Sequence, residues 1–230
     1  MHATAPDAGV GRRLQHIFRA LHRAYGPQHW WPAQGVFEMM VGAILTQSAA
    51  WKNVELAIAN LKSAQALTPP GLRSLPDREL ARLVRPSGYF NSKARKLKAL
   101  AEHLSNYADD VDAFLGRDVH TLRQELLSVY GVGPETADSI ILYGADKPQF
   151  VVDAYTQRIF ERIGLRPSGD TYPAWQGWFM DHLPADASLF NEYHALLVAH
   201  GKRTCRRVPA CEGCPLRADC DFGRRRLKGD

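Results

Sequence analysis

No run of the 230-residue sequence approaches the ~18 apolar residues that a membrane-spanning helix requires, and the first eleven residues, polar and Ala-rich, lack the apolar stretch of a secretory signal. A cytoplasmic setting with no membrane partner is therefore expected. Strand-type alternation does not persist anywhere, which argues against a sheet. No internal repeat and no low-complexity linker is present, so ordinary globular packing is the expectation. Cysteine is scarce and confined to one place: Cys205, Cys211, Cys214 and Cys220 form a C-x5-C-x2-C-x5-C array and none lies elsewhere. Disulfides are disfavoured in the cytosol, so four thiols this close read as a metal or cluster site. Zinc sites usually present two close pairs, whereas this array has one close pair between two longer reaches. The spacing leans toward iron and sulfide, with zinc as the alternative.

What is abundant is helical periodicity. With 45% hydrophobic residues the chain can supply a real core for one large domain or two modest ones. Apolar residues recur at i, i+3, i+4 spacing in Leu14/Ile17/Phe18/Leu21, Phe37/Met40/Val41/Ile44/Leu45, Val54/Ile58/Leu61 and Leu97/Leu100/Leu104. An all-α fold of about ten helices follows. Two of the expected helices, Leu122 to Tyr130 and Pro134 to Tyr143, flank Gly131-Val132-Gly133-Pro134. Pro134 suits a first helical position, and the glycines permit positive φ and close approach. Such a hairpin can present backbone N–H groups at a helix N-terminus to a phosphate, although the same pattern also makes a helix–helix turn with no ligand. The net charge of +5 includes three basic clusters, Lys93/Arg95/Lys96/Lys98, Lys202/Arg203/Arg206/Arg207 and Arg224/Arg225/Arg226/Lys228. These are either solvated helix faces or the footprint of a polyanion.

Past the hairpin, "FVVDAYTQRIFERIG" places Asp153 after Val151-Val152 at the start of another helix, a position that an ordinary N-cap would also occupy. The hairpin, Asp153 and the terminal cysteines, in that order, resemble the helix-hairpin-helix superfamily of DNA glycosylases typified by endonuclease III, over nearly the whole chain from about Trp30 to Cys220. The resemblance implies a hairpin that binds the DNA backbone, a catalytic Asp153 and a 4Fe-4S cluster on the four cysteines, entered through "HGKRTC". "WWPAQGVFEMMVGAILTQ", "VRPSGYFNSKARKLKAL" and "GPETADSIILY" look most like the bacterial 3-methyladenine glycosylases of this fold, a subgroup that commonly lacks the cysteine loop. Trp31 and Trp51 match its aromatic base pocket, and Gln47 or Ser48 matches the loop that wedges into the duplex. The first cysteine gap is one residue shorter than in endonuclease III. Bifunctional members carry a lysine two residues after the second glycine, where this sequence has Glu135.

A base must leave the stack before an enzyme can reach its glycosidic bond. A carboxylate cannot form the Schiff base that strand cleavage needs, so Glu135 argues for base removal alone unless Lys93 or Lys202 supplies an amine. If the base is alkylated it is cationic, an indole face attracts it, and it leaves without a general acid. Asp153 would then suffice to stabilise the sugar cation and position water; Glu38 is a conceivable acid but fits a capping or solvent position better. The resulting expectation is a monomeric, nucleoid-associated, monofunctional glycosylase acting on double-stranded DNA that contains alkylated purines such as 3-methyladenine. An endonuclease III-like activity on oxidised pyrimidines and a catalytically silent damaged-DNA-binding module are the alternatives. The expected organisation is a six-helix domain at 30–147, with the hairpin at about 122–144, and a second, discontinuous domain from 1–29 and 148–230 that carries Asp153, Lys202 and the cysteine loop at 205–220.

Overall fold

The computed structural model describes residues 7–226, so Lys228 of the third basic cluster lies outside the described residues. Every regular element among them is a helix. Residues Trp31–Lys147 form one compact unit, and the described residues on either side of it form the other. The chain opens with α1 (Ala8–Tyr25) in the discontinuous unit, capped by Asp7, whose carboxylate accepts the Gly9 N–H at 2.7 Å.

Unit Trp31–Lys147 holds α2 (Val36–Leu45), α3 (Trp51–Ser63), α4 (Pro69–Ser74), α5 (Asp77–Leu83), α6 (Phe90–Ser105), α7 (Val111–Leu115), α8 (Val119–Ser128) and α9 (Pro134–Gly144). Five of these, α2, α3, α6, α8 and α9, carry the stripes read from the sequence; α4, α5 and α7, of six, seven and five residues, are short additions that sequence periodicity cannot register. Helix α2 is apolar on every side, with Met39 through Leu45 all buried, as a helix at the centre of a core must be. Val54, Ala57 and Leu61 of α3, Leu97, Leu100 and Leu104 of α6 and Ile140 and Ile141 of α9 complete that core. Helix α8 runs three residues earlier than the sequence implies at its start and two at its end. Asp118 accepts the Thr121 N–H at 3.0 Å and caps it early, and Val129 is extended at φ −71° and ψ 129°.

The discontinuous unit continues with α10 (Ala154–Ile163), α11 (Tyr172–His182), α12 (Ala187–Arg203) and α13 (Asp221–Arg226). Its core is aromatic: Phe150 stacks on Phe179 with centroids 4.1 Å apart, and Phe160, Phe190 and Tyr193 meet them edge-on. The buried Tyr193 hydroxyl donates to the Leu14 carbonyl at 2.8 Å and ties α12 to α1. Val151 and Val152 are buried, and Gln176 of α11 donates to the Phe150 carbonyl at 2.7 Å. That fixes the short extended segment leading into Asp153. Gly201 lets α12 close on α10, since a Cβ there would fall 2.3 Å from Cδ1 of Tyr155. Among the described residues no helix is long and apolar enough to cross a membrane.

Candidate active site and cysteine loop

In the unit Trp31–Lys147 the hairpin turn joins α8 to α9. Gly131 takes φ +80°, which favours glycine, but Gly133 does not (φ −94°), contrary to the expectation that both glycines serve the turn's conformation. A Cβ on Gly133 would meet nothing within 4 Å, so its face is open. The Val132 N–H donates to the Val129 carbonyl at 3.1 Å, and the Val132 side chain is buried. Pro134 is the first residue of α9 and Glu135, exposed, the second. Beneath the turn the Arg123 guanidinium grips the fully buried Asp138 carboxylate at 2.7 and 3.1 Å and clamps α8 to α9.

The α2–α3 loop places Gln47 and Ser48 in different surroundings. The half-buried Gln47 amide donates to the Gly131 carbonyl at 3.1 Å and to Thr136 Oγ1 at 2.9 Å, and its Oε1 accepts from Lys96 Nζ at 2.5 Å. Gln47 is therefore a strut between loop and hairpin. Ser48 is exposed, with φ +52°, and stands at the loop's apex. Trp31 meets Trp51 edge-on with centroids 5.4 Å apart and Tyr143 of α9 at 5.4 Å, so the two tryptophans are brought together with a third ring; all three are half-buried. The buried Lys93 donates from Nζ to the Leu45 carbonyl at 2.8 Å and the Ser87 carbonyl at 2.6 Å. Desolvation, with the neighbouring Lys96 charge, pushes its ammonium down to about 8. Glu38 is engaged by Lys62 at 2.8 Å.

In the discontinuous unit Asp153 caps α10. Its Oδ1 accepts from the Thr156 N–H at 2.7 Å and the Thr156 hydroxyl at 2.9 Å, while Oδ2 lies 3.6 Å from His194 Nε2 on α12. Burial alone would raise this carboxyl, but the His194 imidazole and the two Thr156 donors outweigh it and hold it below the ordinary 3.8. The reading as a cap and the reading as a reactive carboxylate thus concern different oxygens. Lys202 is exposed in the last turn of α12.

The four cysteines come together around a small cavity of about 20 Å³ walled by Ile159, Ile163, Leu216 and Phe222. Arg162 donates to Cys205 Sγ at 3.3 Å and to the carbonyls of Arg206 and Arg207, and the Gly223 N–H donates to Cys220 Sγ at 3.3 Å. Burial pushes the Cys214 thiol up to about 11, and the neighbouring thiols add to it. His200, driven down to about 4 by burial, bonds the Tyr25 hydroxyl at 2.8 Å and lies 3.9 Å from Cys214 Sγ.

With the hairpin, the capped aspartate and the cysteine loop in view, comparison with known proteins decides the family. The profile of HhH-GPD superfamily base excision DNA repair proteins matches residues 41–177. The chain belongs to this HhH-GPD superfamily. A protein of Methanocaldococcus jannaschii named for DNA repair glycosylase activity is 44% identical over 206 residues, 89% of this chain and 94% of its own. Endonuclease III of Treponema pallidum is 32% identical over 89% of this chain and 92% of its own. The fold matches that of endonuclease III trapped as a covalent intermediate with DNA, with a TM-score of 0.82 at 23% identity over 94% of this chain and 98% of that one. Within this HhH-GPD chain, sequence reasoning missed two residues beside the expected ones. Tyr143 was counted only as the end of a helix, and His194 carries no spacing signal.

Proposed function

We propose that the chain hydrolyses the N-glycosidic bond of a damaged base in duplex DNA and leaves the strand intact. The observation that carries this reading is the amine-free hairpin: Glu135 stands where a lyase would keep its lysine, and the fallback Lys93 is buried with its ammonium committed to two carbonyls. Asp153 is the proposed catalytic carboxylate. Kept ionised by His194 and Thr156, its Oδ2 is suited to stabilising an oxocarbenium-like sugar and orienting water. Gly131, Gly133 and the first N–H groups of α9 are the proposed phosphate grip, with Val132 holding the turn together; Ser48 rather than Gln47 is the proposed wedge. The Trp31, Trp51 and Tyr143 rings suit a flat cationic base, which favours alkylated purines such as 3-methyladenine. A second reading, an endonuclease III-like glycosylase acting on oxidised pyrimidines, is favoured by the similarity to endonuclease III across most of the chain.

Cys205, Cys211, Cys214 and Cys220 are the proposed ligands of a 4Fe-4S cluster. All four line one small cavity, and their spacing, one close pair between two longer reaches, supports a polynuclear group over zinc. N–H donors from Arg162 and Gly223 directed at sulfur suit thiolates in an anionic cluster. When bound, the group would supply a covalent staple for a loop-rich segment and present the exposed Lys202, Arg206 and Arg207 to phosphates.

A panel of duplexes bearing different lesions, assayed with and without alkaline cleavage of the product, tests the reading. Base release that yields breaks only after alkali, lost in Asp153→Asn with DNA binding kept, is expected. Strand breaks without alkali, or a borohydride-trapped adduct, would overturn the hydrolytic assignment. Preference for an oxidised pyrimidine would select the second reading.

A further inference from the structure

The basic cluster on α6 divides once its surroundings are known. Lys93 is buried under the loop carbonyls, and Lys98 Nζ pairs with Asp77 at 2.6 Å. Arg95 and Lys96 remain, and both lie along the hairpin. The methylene chain of Lys96 crosses Gly131 so closely that a Cβ there would fall 2.4 Å from its Cγ and 2.6 Å from its Cδ and Cε. Its ammonium rests on the neutral amide oxygen of Gln47. The Arg95 guanidinium stands 5.8 Å from the ring centroid of Tyr130, the residue just before the turn, itself 55% exposed. Among the described residues neither cation forms an ion pair. The Lys96 charge also adds to the load that depresses Lys93.

Two cations lacking a carboxylate, one spread over an exposed aromatic ring and the other laid across a glycine, border the turn on its α6 side. The apolar stem of Lys96 is packed across Gly131 while its ammonium is held by a neutral amide oxygen, which leaves its charge uncompensated. The ring beneath Arg95 limits the guanidinium's freedom and partly strips its water. A neutral surface salt bridge would need an acid beside them, and the one acid on α6, Glu102, stands six residues past Lys96. We propose that Arg95 and Lys96 form a second phosphate-binding shelf, taking a DNA phosphodiester beside the one held by the hairpin. This rests on the hairpin reading above. The shelf is built from side-chain charge, whereas the hairpin grip is built from backbone N–H groups, so the two are separable by salt dependence.

Equilibrium binding of the full chain to a duplex carrying a tetrahydrofuran abasic analogue, measured between about 50 and 200 mM salt, tests it. Arg95→Gln and Lys96→Gln are each expected to reduce the slope of log K against log salt by about 0.9, the double variant by about twice that. Lys96→Arg should retain the slope, and melting temperatures report whether each variant is folded. Unchanged slopes in both Gln variants would overturn the shelf. An affinity loss in Lys96→Gln that is equal at every salt concentration would also overturn it, since it would mean that Lys96 only braces Gln47. If Gly133→Ala binds as tightly as the parent while the Gln variants lose slope, the shelf stands and the hairpin grip fails. A parent protein that binds without salt dependence would overturn the shelf and leave the backbone N–H grip standing.

Discussion

Asp153 illustrates how one side chain can meet a structural demand and the proposed chemical one with different atoms. Oδ1 is occupied by Thr156 and caps α10; Oδ2 faces His194. Its folded-state pKa lies below the ordinary 3.8, so its contribution to stability is complete above that value and is lost as pH falls through the depressed one. Thr156→Val removes one donor and is expected to raise the carboxyl pKa, moving the acid limb of the kcat/KM profile to higher pH while the alkaline limb stays put. Gln47 teaches the converse lesson. It matches a wedge by sequence position, yet all of its polar atoms are spent inside the protein. Gln47→Ala strips the Gly131 carbonyl and the Lys96 ammonium of a partner and should cost about 1–3 kcal/mol in denaturant unfolding. Ser48→Ala, at an exposed apex, should leave stability within about 0.5 kcal/mol of the parent and lower base release instead. Sequence position could identify this loop but not which of two neighbours faces outward, because that depends on a turn in which Gln47 N–H bonds Ile44 and Ala49 N–H bonds Thr46.

At the scale of the element, the two glycines of the hairpin separate cleanly. Gly131 is needed for backbone conformation and for the passage of Lys96, whereas Gly133 is needed for neither. Gly131→Ala should lower stability by about 1 kcal/mol or more. Gly133→Ala should melt like the parent but bind DNA more weakly, since a methyl group would stand on the open face; equal binding would show that nothing approaches there. The clamp beneath the turn is an ion pair with one member fully buried. Breaking such a pair leaves an uncompensated charge, so Asp138→Asn or Arg123→Met is expected to cost about 3–5 kcal/mol by thermal or denaturant unfolding. The helices that form this element were legible because Pro134, the glycines and the apolar period each carry a local signal. The ion pair was not: Arg123 and Asp138 are fifteen residues apart and read individually as solvated surface.

For the molecule as a whole, the cysteine loop is the least self-sufficient region. Residues 205–220 contain one short 3-10 turn and rest on Arg162, Arg158 and the apolar wall of α10. Removal of the proposed cluster by chelation or oxidation should therefore open 205–226 to protease and bleach absorbance near 400 nm while the unit Trp31–Lys147, which has its own core, stays protected. About four irons per chain are expected before removal. The amino-acid sequence by itself determined the all-helical class, the place of the hairpin, the four-cysteine array and the absence of a hairpin amine, because periodicity, turn chemistry and ligand spacing are short-range properties. Only the tertiary structure decided that Gln47 ties its loop to the hairpin, that Lys93 is spent on two carbonyls, that His194 faces Asp153 and that Tyr143 joins the two tryptophans. Each of those facts concerns where a side chain's polar atoms or ring faces point after distant segments have packed, and no local spacing encodes it.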